Sequence, residues 1–240
     1  MSELAGWLAI LVAGLVVTIE LAAWTLVLSI ALSSLIAMMS ISPLAPLRGF
    51  ARLYVDVFRS IPILALAISV YYGLGETLTS LGITPFGTAV GVLTVIESAY
   101  LAELYRGSLE SIRRAQWDAA SSVGLGWLAT VRHVILPQSL PPAIPVTLNM
   151  AIAIIKDSSL VSLIAVSEIT LVANQLIAET FKPIQVYGLV AILYLLLILP
   201  LSQASRLIEI AVARRLGIRP RTDEERAMRR LSAVGDVKAG

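Results

Sequence analysis

The 240 residues are 58% hydrophobic and 14% charged, with no cysteine and a single histidine, His133. Ordinary globular chains hold about 25% charged and 45–50% apolar residues, and at a mean hydropathy of +0.87 the apolar surplus exceeds what a core of this size can bury. Lipid must serve as part of the solvent. The missing cysteines exclude disulfide scaffolds, thiol catalysis and cysteine-held metals, one histidine excludes a His-rich metal or triad site, and a net charge of +2 is too small to attract nucleic acid.

In chain order, five apolar stretches reach the length of a membrane span: about 4–39, 53–75, 87–105, 141–165 and 184–204. The first has Glu20 as its only charge after Glu3. It is too long for one perpendicular crossing and too short for two with a turn, which predicts a long tilted helix or a span preceded by an interfacial segment. Without a basic n-region, and with so long an apolar run, it does not read as a cleavable signal peptide. Ser42-Pro43 and Ala45-Pro46 break the chain before the second span, and Gly82 to Gly87, with Pro85, before the third. Pro137, Pro141, Pro142 and Pro145 crowd the entry to the fourth. The expected organisation is a transmembrane domain over 1–217, with a cytoplasmic loop at about 107–140. A polar cytoplasmic tail, 218–240, follows as a short helix or disordered segment.

The basic residues test this arrangement independently. Sixteen of the 18 fall on one side of a five-span chain. Arg48, Arg52 and Arg59 lie between the first two spans; Arg106, Arg113, Arg114 and Arg132 between the third and fourth; the rest run from Arg206 onward. The other side carries Glu3, Glu76, Glu168 and Glu179, with Lys182 its only cation. The positive-inside rule then places the N-terminus outside and the C-terminus in the cytoplasm, as an odd number of spans requires.

The loop between spans three and four reads Gln116-Trp117-Asp118-Ala119-Ala120-Ser121-Ser122-Val123-Gly124 and continues to Val134-Ile135-Leu136-Pro137-Gln138. Small residues followed by glycine predict a short helix with little bulk on one face. On residue types alone, two readings stay open: a helix seated in a cleft of another protein, or one lying on the bilayer with Trp117 and Trp127 as anchors.

The segment resembles the "EAA loop" of ATP-binding-cassette importer permeases. Asp118-Ala119-Ala120, Gly124, Val134 and Leu136-Pro137 keep every spacing of that motif, with Asp for Glu and Val for Ile. The flanks are similar to the polar amino-acid subfamily: Arg59-Ser60-Ile61-Pro62, Ala99-Tyr100-Leu101-Ala102-Glu103 with Arg106-Gly107, Gln116, Pro137-Gln138 and Lys156-Asp157-Ser158-Ser159. The resemblance implies an all-α integral membrane protein of about five spans. Its coupling helix, built on Gln116, Trp117, Asp118, Ala119, Ala120 and Gly124, would dock a cytoplasmic ATPase. It implies further a second permease, identical or homologous, two ATP-binding subunits, an extracytoplasmic substrate-binding protein, and a polar amino acid as substrate. ATP and magnesium would bind in the ATPase, leaving this chain without a cofactor.

Glu20, Glu97, Glu103, Lys156 and Asp157 fall within the spans, where a central charge costs about 2.5–3.5 kcal/mol. Lys156-Asp157 reads as a self-neutralising pair or as part of a substrate cavity. Glu103 reads as a partner of Arg59, as a snorkelling residue, or as part of that cavity. The resemblance raises the cavity reading, since a site with both signs of charge can bind both ends of an amino acid. It puts Glu103, Asp157, Lys156, Tyr100 and Arg59 at the site, with Glu97 beside them. Glu97 and Glu20 lie outside the motif, and for Glu97 packing or pairing remains open. The excess of acids in the spans leans towards a substrate with a positive side chain. No P-loop sequence is present, Gly73-Leu74-Gly75 is a turn, and no catalytic set appears. The alternative is a stand-alone secondary transporter or channel using intramembrane carboxylates, which has no use for a docking helix.

Overall fold

The computed structural model describes residues 2–112 and 114–215, and all regular structure among them is helical. The tail expected at 218–240 lies outside the described residues. Helix α1, Ser2–Ser40, is unbroken. At 1.5 Å per residue its 39 residues extend about 58 Å, well beyond a hydrocarbon core of about 30 Å. It is one continuous helix, with no break between an outer segment and a span.

The second span departs from expectation. Ala45–Ser60 (α2) and Ile63–Gly73 (α3) form two helices bent by 93°. The break is Ile61-Pro62: proline lacks the amide hydrogen a continuing helix needs and pushes its predecessor into extended backbone, and Ile61 sits at φ −91°, ψ 125°. Arg48, Arg52 and Arg59 therefore ride on a helix, not in a loop. That helix is amphipathic, burying Ala51 and Val55, while Arg48 donates to the carbonyls of Ser42 and Pro43 at 2.7 and 2.8 Å.

A short α4, Gly75–Ser80, leads to α5, Pro85–Glu110. Thr84 caps α5, accepting from the Gly87 amide at 3.2 Å, and Pro85 occupies a first-turn position where no amide is required. After α6, Arg114–Ser122, the chain is helical in sequence through α7 (Trp127–Thr130), a π-turn (Val131–Ile135), α8 (Leu136–Asp157) and a 3-10 segment (Ser158–Ile164). Pro141, Pro142 and Pro145 lie inside α8 rather than breaking its entry. They lie within about three helical turns of the wider π-turn, the usual companion of an interrupted helical ladder. Ala165 ends the run in left-handed backbone. Then come α9, Ile169–Thr180, and α10, Pro183–Arg215.

Helices α1, α5, the Trp127–Ile164 run and α10 are each long and apolar enough to cross a membrane, and the bent α2–α3 pair brings the number to five where it counts as one broken span. Helix α5 is central, packing against α1, α2, α3 and α8. Lipid provides no hydrophobic drive between helices, so close approach of small residues and polar links hold the bundle. One stripe of α1, made of Thr18, Thr25, Ser29 and Ser33, is wholly buried. The Tyr54 hydroxyl ties α2 to α5 through Ser98 (2.7 Å) and the Val95 carbonyl (2.9 Å). Tyr105 and Thr147 tie α5 to α8 at 2.7 Å, and Ser205 donates to Asn149, joining α10 to α8 at 3.0 Å. At the opposite end from the arginines, Lys182 bridges to Glu3 and stands over the Trp7 ring.

Candidate substrate cavity and docking helix

Helix α6 ends as its sequence predicts. Gly124 is left-handed at φ +79°, the Leu125 amide donates to the Ala120 carbonyl at 3.1 Å, and the Gly124 amide donates to Ser121 at 3.0 Å. This is a complete Schellman closure, which calls for glycine at that position. Trp117 packs against the cluster of Ala37, Leu109 and Ile135, and Ala120 is buried. Gln116, Asp118, Ala119 and Val123 remain uncovered. The six residues assigned to coupling thus divide: Trp117 and Ala120 seat the helix on its own bundle, Gly124 closes it, and the others form the free face. Asp118 is the fifth residue of the helix, beyond the first turn where the positive end would favour a carboxylate.

The six cavity candidates separate into three groups. Glu103 is held by Arg106, whose Nε donates to Glu103 Oε2 at 2.8 Å while another nitrogen reaches Glu110. Arg59 is not its ion-pair partner. The Arg59 guanidinium stands 5.3 Å from the centroid of the Tyr100 ring, and the Tyr100 hydroxyl donates back to the Arg59 carbonyl at 3.2 Å. Glu97 is buried on α5, on the side of Asp157, which ends α8 where it passes into the 3-10 segment. Lys156 is uncovered and makes no ion pair with Asp157, whereas Arg106 pairs with Glu103 and Glu110, and Lys182 with Glu3. The self-neutralising Lys156–Asp157 pair does not form because adjacent helical positions point apart.

Asp56, Arg59, Ser60 and Tyr100 line a cavity of about 420 Å³. A second, of about 320 Å³, includes Arg52, Asp56, Glu103 and Arg106, so Asp56 is common to both. Asp56 lies outside the motifs read from the sequence, although its place three residues before Arg59 on an amphipathic helix marks it. An apolar cleft of about 300 Å³ between α1, α5 and α8 has no charged lining and does not suit a zwitterion. Glu168 was also missed as a buried group. It is fully buried, accepts from the Leu171 amide at 2.8 Å through Oε1, and leaves Oε2 without a partner. Burial pushes its carboxyl above the ordinary carboxylate range, and the first-turn amides of α9 partly offset this.

A helical bundle of four to five spans, with a charge-lined cavity and a free helix after α5, is the architecture of a transporter's membrane subunit. The profile described as "Binding-protein-dependent transport system inner membrane component" matches residues 29–216, and the chain belongs to that family. It is a multi-pass permease subunit of the ABC importer class. Among its relatives, the probable amino-acid ABC transporter permease protein PatM of Vibrio harveyi is 35% identical over 178 residues, covering 74% of this chain and 80% of that one. The glutamine transport system permease protein GlnP of Escherichia coli K12 is 35% identical over 159 residues (66% and 73%). The octopine transport system permease protein OccM of Rhizobium radiobacter is 31% identical over 209 residues (84% and 85%). Among solved structures, an amino acid ABC transporter crystallised with histidines superposes at TM-score 0.78 with 27% identity, covering 86% of this chain and 96% of that one. The MetNI methionine transporter, at TM-score 0.69 and 19% identity over 88% and 99%, shares the fold.

Proposed function

We propose that this permease imports a polar amino acid, working as one of two permease subunits above two cytoplasmic ATPases, where ATP and magnesium bind. An extracytoplasmic binding protein delivers the substrate. The N-terminus lies outside and the arginine-bearing end in the cytoplasm, since that orientation places α6 where an ATPase can reach it. The free face of Gln116, Asp118, Ala119 and Val123 carries this reading, because a face of small and polar side chains beside the membrane allows another protein to approach its backbone. The amino-acid substrate is supported by what the relatives named above transport, and by a cavity lined with both signs of charge that suits a zwitterion.

The test is reconstitution in lipid with the partner ATPases and binding protein. Liganded binding protein should stimulate ATP hydrolysis. Ala119→Leu, which adds bulk to the free face without touching the bundle, should abolish ATPase association at unchanged thermal stability. Amino-acid uptake into vesicles lacking the ATPases would overturn the reading in favour of a secondary transporter.

A further inference from the structure

We propose that the apolar cleft between α1, α5 and α8 holds an acyl chain of an anionic phospholipid of the cytoplasmic leaflet, with Arg132 and Arg114 on its phosphate. The leaflet follows from the orientation proposed above; the site itself does not depend on which substrate is carried.

The cleft encloses about 300 Å³, and its chemistry selects hydrocarbon. Five hydroxyls lie on its walls, and each is already hydrogen-bonded within the bundle. Ser34, Ser108 and Ser139 donate to carbonyls of their own helices at 2.7, 3.1 and 3.1 Å, while Tyr105 and Thr147 bond each other at 2.7 Å. No charged side chain lines it, so a polar ligand would lose its hydration and find no partner in return. Leu140 and Ile144 on its α8 rim are about half exposed, at 52% and 47%, so the cleft is open along that helix. Helix α1 separates it from the charged cavity: Ile36 and Ser40 line that cavity, Ala37 and Met38 the cleft. A second permease closing over the charged cavity therefore leaves the cleft to lipid.

An acyl chain gains little by leaving bulk lipid for an apolar cleft, since both are hydrocarbon. Preference for one lipid has to come from the headgroup. Arg132 stands four residues before Leu136, about 6 Å along the helical run and beyond the cytoplasmic end of the cleft. At about 100° per residue it falls on the side that carries Leu136, Ser139 and Ala143, all cleft residues. It is exposed and takes part in none of the ion pairs described above. Arg114, exposed and outside those pairs too, opens α6 three residues before Trp117. Trp117 packs on Ala37 and Leu109, which are also walls of the cleft. Two guanidiniums thus stand at the cytoplasmic mouth of a hydrocarbon slot, the arrangement that recognises an anionic headgroup. A bound chain lies against the residues that seat the docking helix.

The test uses the delipidated permease–ATPase complex in detergent, given equal amounts of phosphatidylglycerol and phosphatidylcholine with identical chains. Native mass spectrometry counts the lipids each complex retains. Wild type should hold one phosphatidylglycerol per permease, preferred over phosphatidylcholine by about tenfold, the scale of one charge-assisted hydrogen bond. Arg132→Gln combined with Arg114→Gln should bring the ratio to about one. Ala143→Phe fills the cleft from α8 and Ser34→Leu from α1; each should release the phosphatidylglycerol. Equal retention of both lipids by wild type would show an unselective annulus and overturn the proposal. So would a preference that survives the double arginine variant, or retention unchanged in a filled variant that assembles and melts as wild type does. A further permease copy seated there in place of lipid, seen as added mass, would overturn it as well. Micelles have no leaflets, so failure here leaves the proposed orientation and amino-acid transport standing; thiol labelling and uptake decide those.

Discussion

A Cβ placed on Gly14 would stand 2.9 Å from the Cα of Ile169, so α1 and α9 meet backbone to backbone. One turn on, Thr18 donates to the Gly14 carbonyl and accepts from the Ile169 amide, both at 3.2 Å. The contact has no flexible side chain to absorb an added methyl group. Gly14→Ala should lower complex stability by about 1–3 kcal/mol, the usual cost of overpacking. Gly91→Ala, with open space around it, should be neutral or slightly stabilising. Melting temperatures of the two variants in the same detergent check the pair.

Gly124 tests the docking helix from its closing end. A β-branched side chain in left-handed backbone costs about 1–2 kcal/mol, and no bundle contact compensates it at this uncovered position. Gly124→Val should unravel the last turn of α6. The melting temperature of the bundle should hold while substrate-stimulated ATP hydrolysis falls to the basal rate. Wild-type stimulation in this variant would separate the helix from coupling.

Glu168 predicts a pH dependence. Its carboxyl is raised above the ordinary 4.5 by burial, so the folded protein holds the proton to a higher pH than the unfolded chain. Between those two values the native state binds more protons, and stability falls as pH rises through the window. Glu168→Gln keeps an oxygen for the Leu171 amide and removes the charge. It should flatten this dependence and stabilise the protein at neutral pH by about 1–3 kcal/mol. Melting curves at stepped pH check it; parallel wild-type and variant curves would refute it.

Orientation can be read chemically, because the chain has no native cysteine. Ser80 and Ser122 are both uncovered, on opposite sides of the third span. In intact cells a membrane-impermeant thiol reagent should label Ser80→Cys directly. Ser122→Cys should react only after the membrane is opened. The reverse pattern would invert the topology.

Length and hydropathy alone located the crossings, because burying polar backbone in lipid permits only continuous helix over about 20 residues. Local chemistry likewise made the end of α6 readable, since Gly124 supplies the backbone geometry its closure needs. The second span was misjudged because charge masks helix: Arg48, Arg52 and Arg59 recur along an amphipathic face, and a hydropathy reading sees such a face as a loop. Prolines misled in α8 for the complementary reason, that a neighbouring π-turn and packed helices accommodate what would end an isolated helix.

The pairing of charges divides the same way. Glu103 and Arg106 lie three residues apart on one helix, so their bond was latent in the sequence, although Arg59 was set against Glu103 instead. Glu97 and Asp157 stand on different helices, and no local pattern relates them. Arg59 and Tyr100 meet only because Pro62 bends the second span beside α5. What the sequence determined by itself was which segments enter the membrane and where one helix must stop, since these depend on neighbours along the chain. Which acid faces which base depends on how the helices are rotated about their axes, and only the packed bundle sets that.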